Sequence, residues 1–174
     1  MNLLLKSSLF ICMIVLLASC KKDDDISSGN LVGTWRMTDI SCTDGESTAT
    51  LLGIPVSSTF TYEGIEYNTT TTFTENPNQF TSSGSYKFRV ETNTLGQIET
   101  SEETVSFNGG TGTWELDGDI LYQTFADTTI EIKLLELSDD VMRTEQSLDA
   151  TIMDSDLGFT ITTSGTLHTR FEKE

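Results

Sequence analysis

Leu31-Val32-Gly33-Thr34-Trp35-Arg36-Met37-Thr38 opens the first strand-like run of this 174-residue chain, and its alternation governs how the rest is read. In an extended strand Leu31, Gly33, Trp35 and Met37 share one face, and Val32, Thr34, Arg36 and Thr38 the other. The Trp-bearing face is expected to turn into a core. The glycine leaves room for a neighbouring segment to pack against the indole. An echo, Gly112-Thr113-Trp114-Glu115-Leu116, follows much later in the chain.

Past residue 30 the chain is rich in Thr, with Val, Ile, Phe and Tyr in short runs between Gly, Asn, Asp and Ser clusters, the pattern of many short strands. No stretch carries a capped apolar stripe of helical period; the best rival, Arg143 to Asp154, reads better as a strand and turn. A turn near Ile26 to Leu31 is expected to close one end of a barrel. Turns are read at Thr43–Ser47, Glu75–Asn78, Asn93–Gly96, Asn108–Gly110, Asp127–Thr128, Ser138–Asp140 and Asp154–Asp156, with a break at Glu63–Gly64. Thr48 to Val56 is ambiguous, and Pro55 suggests an edge or loop there. Asp117-Gly118 reads as the two-residue loop of a type I′ hairpin, which sets Trp114 across from Leu121. Leu134-Leu135 suggests a bulge. The sum is an all-β domain, an antiparallel up-and-down barrel of eight to ten strands.

Gly33-Thr34-Trp35 near the start of a small all-β domain resembles the lipocalin and calycin barrels. Phe73-Thr74-Glu75-Asn76-Pro77-Asn78 and Gly112-Thr113-Trp114-Glu115-Leu116-Asp117-Gly118 resemble recurring segments of lipocalin-like lipoproteins from Bacteroidetes. The closing Leu167-His168-Thr169-Arg170-Phe171-Glu172-Lys173 is similar to the last strand of such barrels. The resemblance implies that Arg170 packs over Trp35, so that Gly33, Trp35 and Arg170 close the barrel through a cation–π contact. Strand parity sets Leu167 and Phe171 opposite Arg170, so this pairing calls for a bulge or the barrel end. Fatty-acid-binding proteins end similarly, with a tyrosine two places after the arginine; Glu172 stands there here, which argues against that mode of carboxylate binding.

The amino end supplies an address. Lys6 precedes the apolar run Leu9 to Ala18, the basic and hydrophobic regions of a secretory signal. The run is too short for a spanning helix, which needs about 20 apolar residues. Leu17-Ala18-Ser19-Cys20 resembles a bacterial lipobox, so residues 1–19 are expected to be a signal peptide. Cys20 is then the site of the diacylglycerol and palmitate anchor, stable because more than one acyl chain is buried. Residues 20–30 read as an acylated, charged tether and 31–174 as the barrel domain. Within the tether, Lys21-Lys22-Asp23-Asp24-Asp25 resembles the surface-export signal of Bacteroidetes lipoproteins, and the expected location is the outer membrane, facing the cell exterior.

A net charge of −17 and a pI near 4.1 argue against nucleic acid or anionic lipid as a partner of the folded domain, since both need basic patches. Of three cysteines, Cys12 lies in the signal and Cys20 in the lipobox. That leaves Cys42 without a disulfide partner or a zinc set, and a buried, inert thiol is expected. His168 is the only histidine. It offers no nucleophilic arrangement, and no phosphate-binding glycine loop, nucleophile elbow or calcium loop is present in the sequence. The expectation is therefore a binding protein rather than an enzyme, without metal or cofactor.

Tyr62, Tyr86, Trp114, Tyr122 and Phe125, together with Trp35, either line a ligand cavity or fill a solid core. The first case makes the protein a carrier of a small hydrophobic or amphipathic molecule. The second makes it a filled-barrel surface module that contacts a protein or glycan through its loops. A cavity of about 300 Å³ or more separates the two.

Overall fold

The computed structural model describes residues 29–51, 53–154 and 159–174. The expected signal peptide, Cys20 and the stretch Lys21–Asp25 expected to be a tether lie outside the described residues. Ten antiparallel strands run in chain order: β1 (Gly33–Leu51), β2 (Ile54–Thr74), β3 (Gln79–Thr94), β4 (Gln97–Asp117), β5 (Ile120–Phe125), β6 (Thr128–Leu137), β7 (Val141–Ser147), β8 (Ala150–Asp154), β9 (Phe159–Ser164) and β10 (Thr166–Lys173). Each of β1 to β6 pairs with the next, β7 pairs with β10, and β10 returns to β1, which closes a ring of eight strands.

The remaining two strands continue staves of that ring. β10 pairs with the first half of β1 (Trp35↔Lys173 to Ser41↔His168), and β9 pairs with its second half (Glu46↔Ser164 to Leu51↔Phe159). β7 and β8 run beside β10 and β9 in the same way. Chain 141–173 is thus one long hairpin, laid along the open edge of β1 and jointed near Leu148 and Gly165. The joint is held by Asp44, whose carboxylate accepts from the Thr166 amide and hydroxyl, both at 2.9 Å. A Cβ at Gly165 would lie 3.0 Å from the Cys42 sulfur, so glycine is what lets the two strands cross this closely. Cys42 is buried and free, and burial pushes its thiol up.

The strands are longer than the turn signals suggested. Thr43–Ser47, Glu63–Gly64 and Asn108–Gly110 do not end strands but lie within β1, β2 and β4, where the pairing register shifts. These polar and glycine residues mark bulges, which bend a strand without ending it. β2, with 21 residues, is roughly 70 Å long at about 3.3 Å per residue, whereas β5, with six, is about 20 Å. One wall, β8-β9-β1-β2-β3-β4, therefore rises well above the other.

Two hairpins differ from expectation. β4 and β5 meet in the register Leu116↔Leu121 and Trp114↔Gln123, with Gly118-Asp119 as the loop. Only Gly118 takes positive φ there (59°), which fits a type II′ turn, and Trp114 does not lie across from Leu121. The type I′ signature appears instead at Leu95-Gly96 between β3 and β4, with φ of 53° and 87°.

Two apolar clusters fill the ring. The lower one joins Leu31, Trp35, Phe73, Phe80, Leu121, Leu134, Leu137 and Met142; the upper one joins Met37, Ile40 and Tyr86 with Tyr62, Phe88 and Phe107 around them. Trp35 is fully buried and donates its indole N–H to the Leu31 carbonyl at 2.7 Å. The cation over its ring is Lys173, with Nζ 5.0 Å from the centroid, and the same ammonium donates to the Asn30 carbonyl at 2.9 Å. Gly33, at φ 137°, makes this possible: a Cβ there would lie 2.6 Å from Lys173 Cε. Arg170 is not the partner of Trp35. It pairs with Asp39 across the β1 register shift and contacts Glu172 at 3.1 Å on the outer face. The cation at this end of the barrel thus stands three residues beyond Arg170.

Lys173→Met is expected to lower unfolding stability by about 1 kcal/mol, the size of a partly shielded cation–π contact, while Arg170→Met changes it by roughly half that or less. Urea denaturation of the two variants against the parent checks the assignment.

Candidate functional site

Between the two clusters lies a cavity of about 220 Å³. Its lower wall is Phe73, Leu121, Phe125, Ile132 and Met142, its upper wall Met37, Ile40, Tyr86, Phe107 and Leu167, with Phe171 in both clusters. The barrel is therefore not packed solid, and the void is smaller than the roughly 300 Å³ at the low end of ordinary ligand pockets. It suits a small molecule, or one end of a longer one.

Of the aromatics predicted for this role, Tyr86 and Phe125 line the cavity; Tyr62, Trp114 and Tyr122 do not. Tyr62 sits one step higher, stacked on Phe88 at 4.4 Å and donating to the Tyr86 hydroxyl at 2.8 Å. Trp114 meets Phe73 edge-on at 6.2 Å and donates to the Thr74 carbonyl, sealing the lower end. Tyr122 pairs with Glu115 and Glu131 on the alternate face of β5, one parity step from the lining residues Leu121 and Gln123. His168 is exposed beside Glu145 and Ser41. Among the described residues no group of three or more His, Cys, Asp or Glu side chains is placed to hold a metal ion.

The polar part of the lining was not read from the sequence. Thr69, Thr71, Ser82 and Thr144 are buried, and Gln123, Gln146 and Thr169 also face the void. Thr71 and Ser82 hydrogen-bond to each other at 2.9 Å across β2 and β3, whereas the Thr69 hydroxyl has no partner. The signal lay in the alternation of Thr69, Thr71 and Phe73, which shares one face of β2. No lining residue carries a charge.

The matching family model is described as a lipocalin-like domain and covers residues 31–144, from the buried Leu31 to Thr144 in the cavity wall. The chain belongs to the lipocalin-like domain family. That places it among barrels whose architecture is suited to binding small molecules. Neither the comparison with characterised proteins nor that with solved structures gives a match.

Burial, and then the hydrogen bond to Tyr86, push the Tyr62 hydroxyl well above the usual tyrosine range. A raised folded-state pKa means the contribution of Tyr62 is complete below about pH 10, where the unfolded chain begins to lose this proton, and declines as pH rises beyond it. Tyr62→Phe should flatten the loss of stability above pH 10; chemical denaturation at stepped alkaline pH gives the two slopes.

Proposed function

We propose that this lipocalin-like barrel is a lipid-anchored cell-envelope protein that binds a small hydrophobic or amphipathic molecule. The observation that carries the binding half is the cavity of about 220 Å³ between the two clusters, apolar over most of its wall and furnished with buried hydroxyls. The family supports a binding role over an enzymatic one. The anchoring half rests on the lipobox at Cys20 and on where the chain enters the barrel. Leu31 is buried in the lower cluster and Asn30 is bound by Lys173, so a tether from Cys20 leaves from the closed end. An acylated Cys20 would hold that end toward the outer membrane and leave the mouth facing away, and export to the surface would turn the mouth to the cell exterior.

A second reading, an accessory module that meets a protein or glycan partner, has one observation in its favour. Ile54, Val56 and Ile152 on the tall wall are 68%, 42% and 60% exposed. Ile152, Ile161, Ala49 and Val56 form one row across β8, β9, β1 and β2, and Val56 lies on the same face of β2 as Tyr62. The two readings separate in one measurement. Native mass spectrometry of the mature chain, made from Cys20→Ala to remain unacylated, should show a copurified small molecule. A chain that is bare and takes up no apolar probe would exclude the carrier role.

Cys20→Ala should also move the protein from the membrane to the soluble fraction, and persistence in the membrane would refute the anchor. Protease treatment of intact cells should cleave the parent protein; protection would place it on the inner side of the envelope.

A further inference from the structure

We propose that the cavity selects an uncharged ligand with a hydrogen-bonding group, an alcohol, ketone, ester or amide, held at Thr69, and rejects carboxylates and amines. This deepens the carrier reading and rests on it. Three observations converge. First, the lining contains neither a cation nor an anion. A carboxylate or ammonium brought there would lose its hydration with no opposite charge to offset the loss. Second, the Thr69 side chain is 1% exposed and its Oγ1 has no hydrogen-bond partner among the described residues. A buried hydroxyl in that state destabilises the fold, so one polar atom arriving from a ligand removes a penalty already present. The hydroxyls of Thr71 and Ser82 bond to each other and Tyr86 accepts from Tyr62, so Thr69 is the one of these four hydroxyls left with no partner.

Third, the approach is acidic. β4 runs without a shift from Gln97 to Asn108, so Glu99 and Glu103 share the face of Val105 and Phe107, the face that turns into the barrel. Glu103 stands across from Phe88, two register positions and so one same-face step from the Tyr86↔Val105 pair. Anions meet like charge on the way in and find no partner inside. Cations are drawn to the rim yet find no counter-charge below it. A neutral head group escapes both penalties, while Leu121, Ile132 and Met142 receive its apolar part.

The test uses the mature chain carrying Cys20→Ala and three probes of one chain length: octanol, octanoate and octylamine, titrated calorimetrically at pH 7, where the last two are charged. Octanol should bind at least tenfold more tightly than either ion and shift the methyl resonances of Leu121, Ile132 and Met142. Thr69→Val, which keeps the shape and removes the hydroxyl, should weaken octanol about fivefold, the range of one neutral hydrogen bond. Octanoate or octylamine binding as tightly as octanol would overturn the selectivity and leave the carrier reading intact. An unchanged octanol affinity in Thr69→Val would remove Thr69 as the anchor. If no probe binds, or binding leaves the three methyl signals unmoved, the carrier reading falls and this inference with it. The probe comparison needs no substitution in the barrel, so it decides the selectivity even if Thr69→Val fails to fold.

Discussion

The pairing of β1 with two strands along one edge is the constraint on which the rest of the structure depends. A barrel needs its last strand to return to the first, and β10 does this over Trp35 to Ser41. β1 continues ten residues further, and that half would expose an unpaired edge, a liability for association. β9 covers it, so the single hairpin of residues 141–173 both closes the ring and protects the edge. The joint between its two parts must pass close to β1, which accounts for Gly165 against Cys42 and for the Asp44 carboxylate that takes both donors of Thr166. At the other end Lys173 lies over Trp35 and reaches Asn30, so the last residues of the chain and the first of the domain fix each other.

How much of this was legible depended on whether a residue acts locally. Gly33 and Trp35 could be placed because a glycine two residues from a tryptophan on a strand has few other uses, and alternation put Trp35 inside. The cation was misassigned because its identity depends on register. The β1–β10 pairing shifts between Met37 and Asp39, and no residue of β10 signals a shift in its partner. Arg170 and Lys173 both stood within reach of such an uncertainty. Bulges caused the second class of error. Thr43–Ser47 and Asn108–Gly110 have the composition of turns, but composition alone does not say whether the chain reverses or merely bends. Leu95 at positive φ ran the other way, a turn residue with no turn chemistry in its side chain.

The cavity shows the same division. That aromatics would gather inside the barrel followed from the strand pattern, and Tyr86 and Phe125 do line the void. Which aromatics line it and which cap it depends on height along the barrel. Tyr62 and Tyr86 are both inward on paired strands, yet the first stacks on Phe88 outside the lining and the second belongs to the wall. Trp114 is likewise inward but low, and serves as a plug against Phe73. The hydroxyls were overlooked for another reason. Threonine is favoured in strands whatever it faces, so a Thr-rich run does not announce that alternate members point into a core.

Those hydroxyls are what distinguish this void from a packing defect. An apolar cavity of this size destabilises a fold by a few kcal/mol, in proportion to its volume, and a larger aliphatic side chain on any lining strand would remove it. Here the cavity wall includes Thr69, Thr71, Ser82 and Thr144, small polar groups at positions where Val or Ile would satisfy strand geometry equally well and bury more apolar surface. Two of the four neutralise each other, which shows that the site can satisfy a hydroxyl when geometry allows. Thr69 is left without a partner one alternation step away, on the same face of β2. The proposed ligand would supply the partner that Thr69 lacks, and its apolar part would pack against Leu121, Ile132 and Met142 in the same cavity.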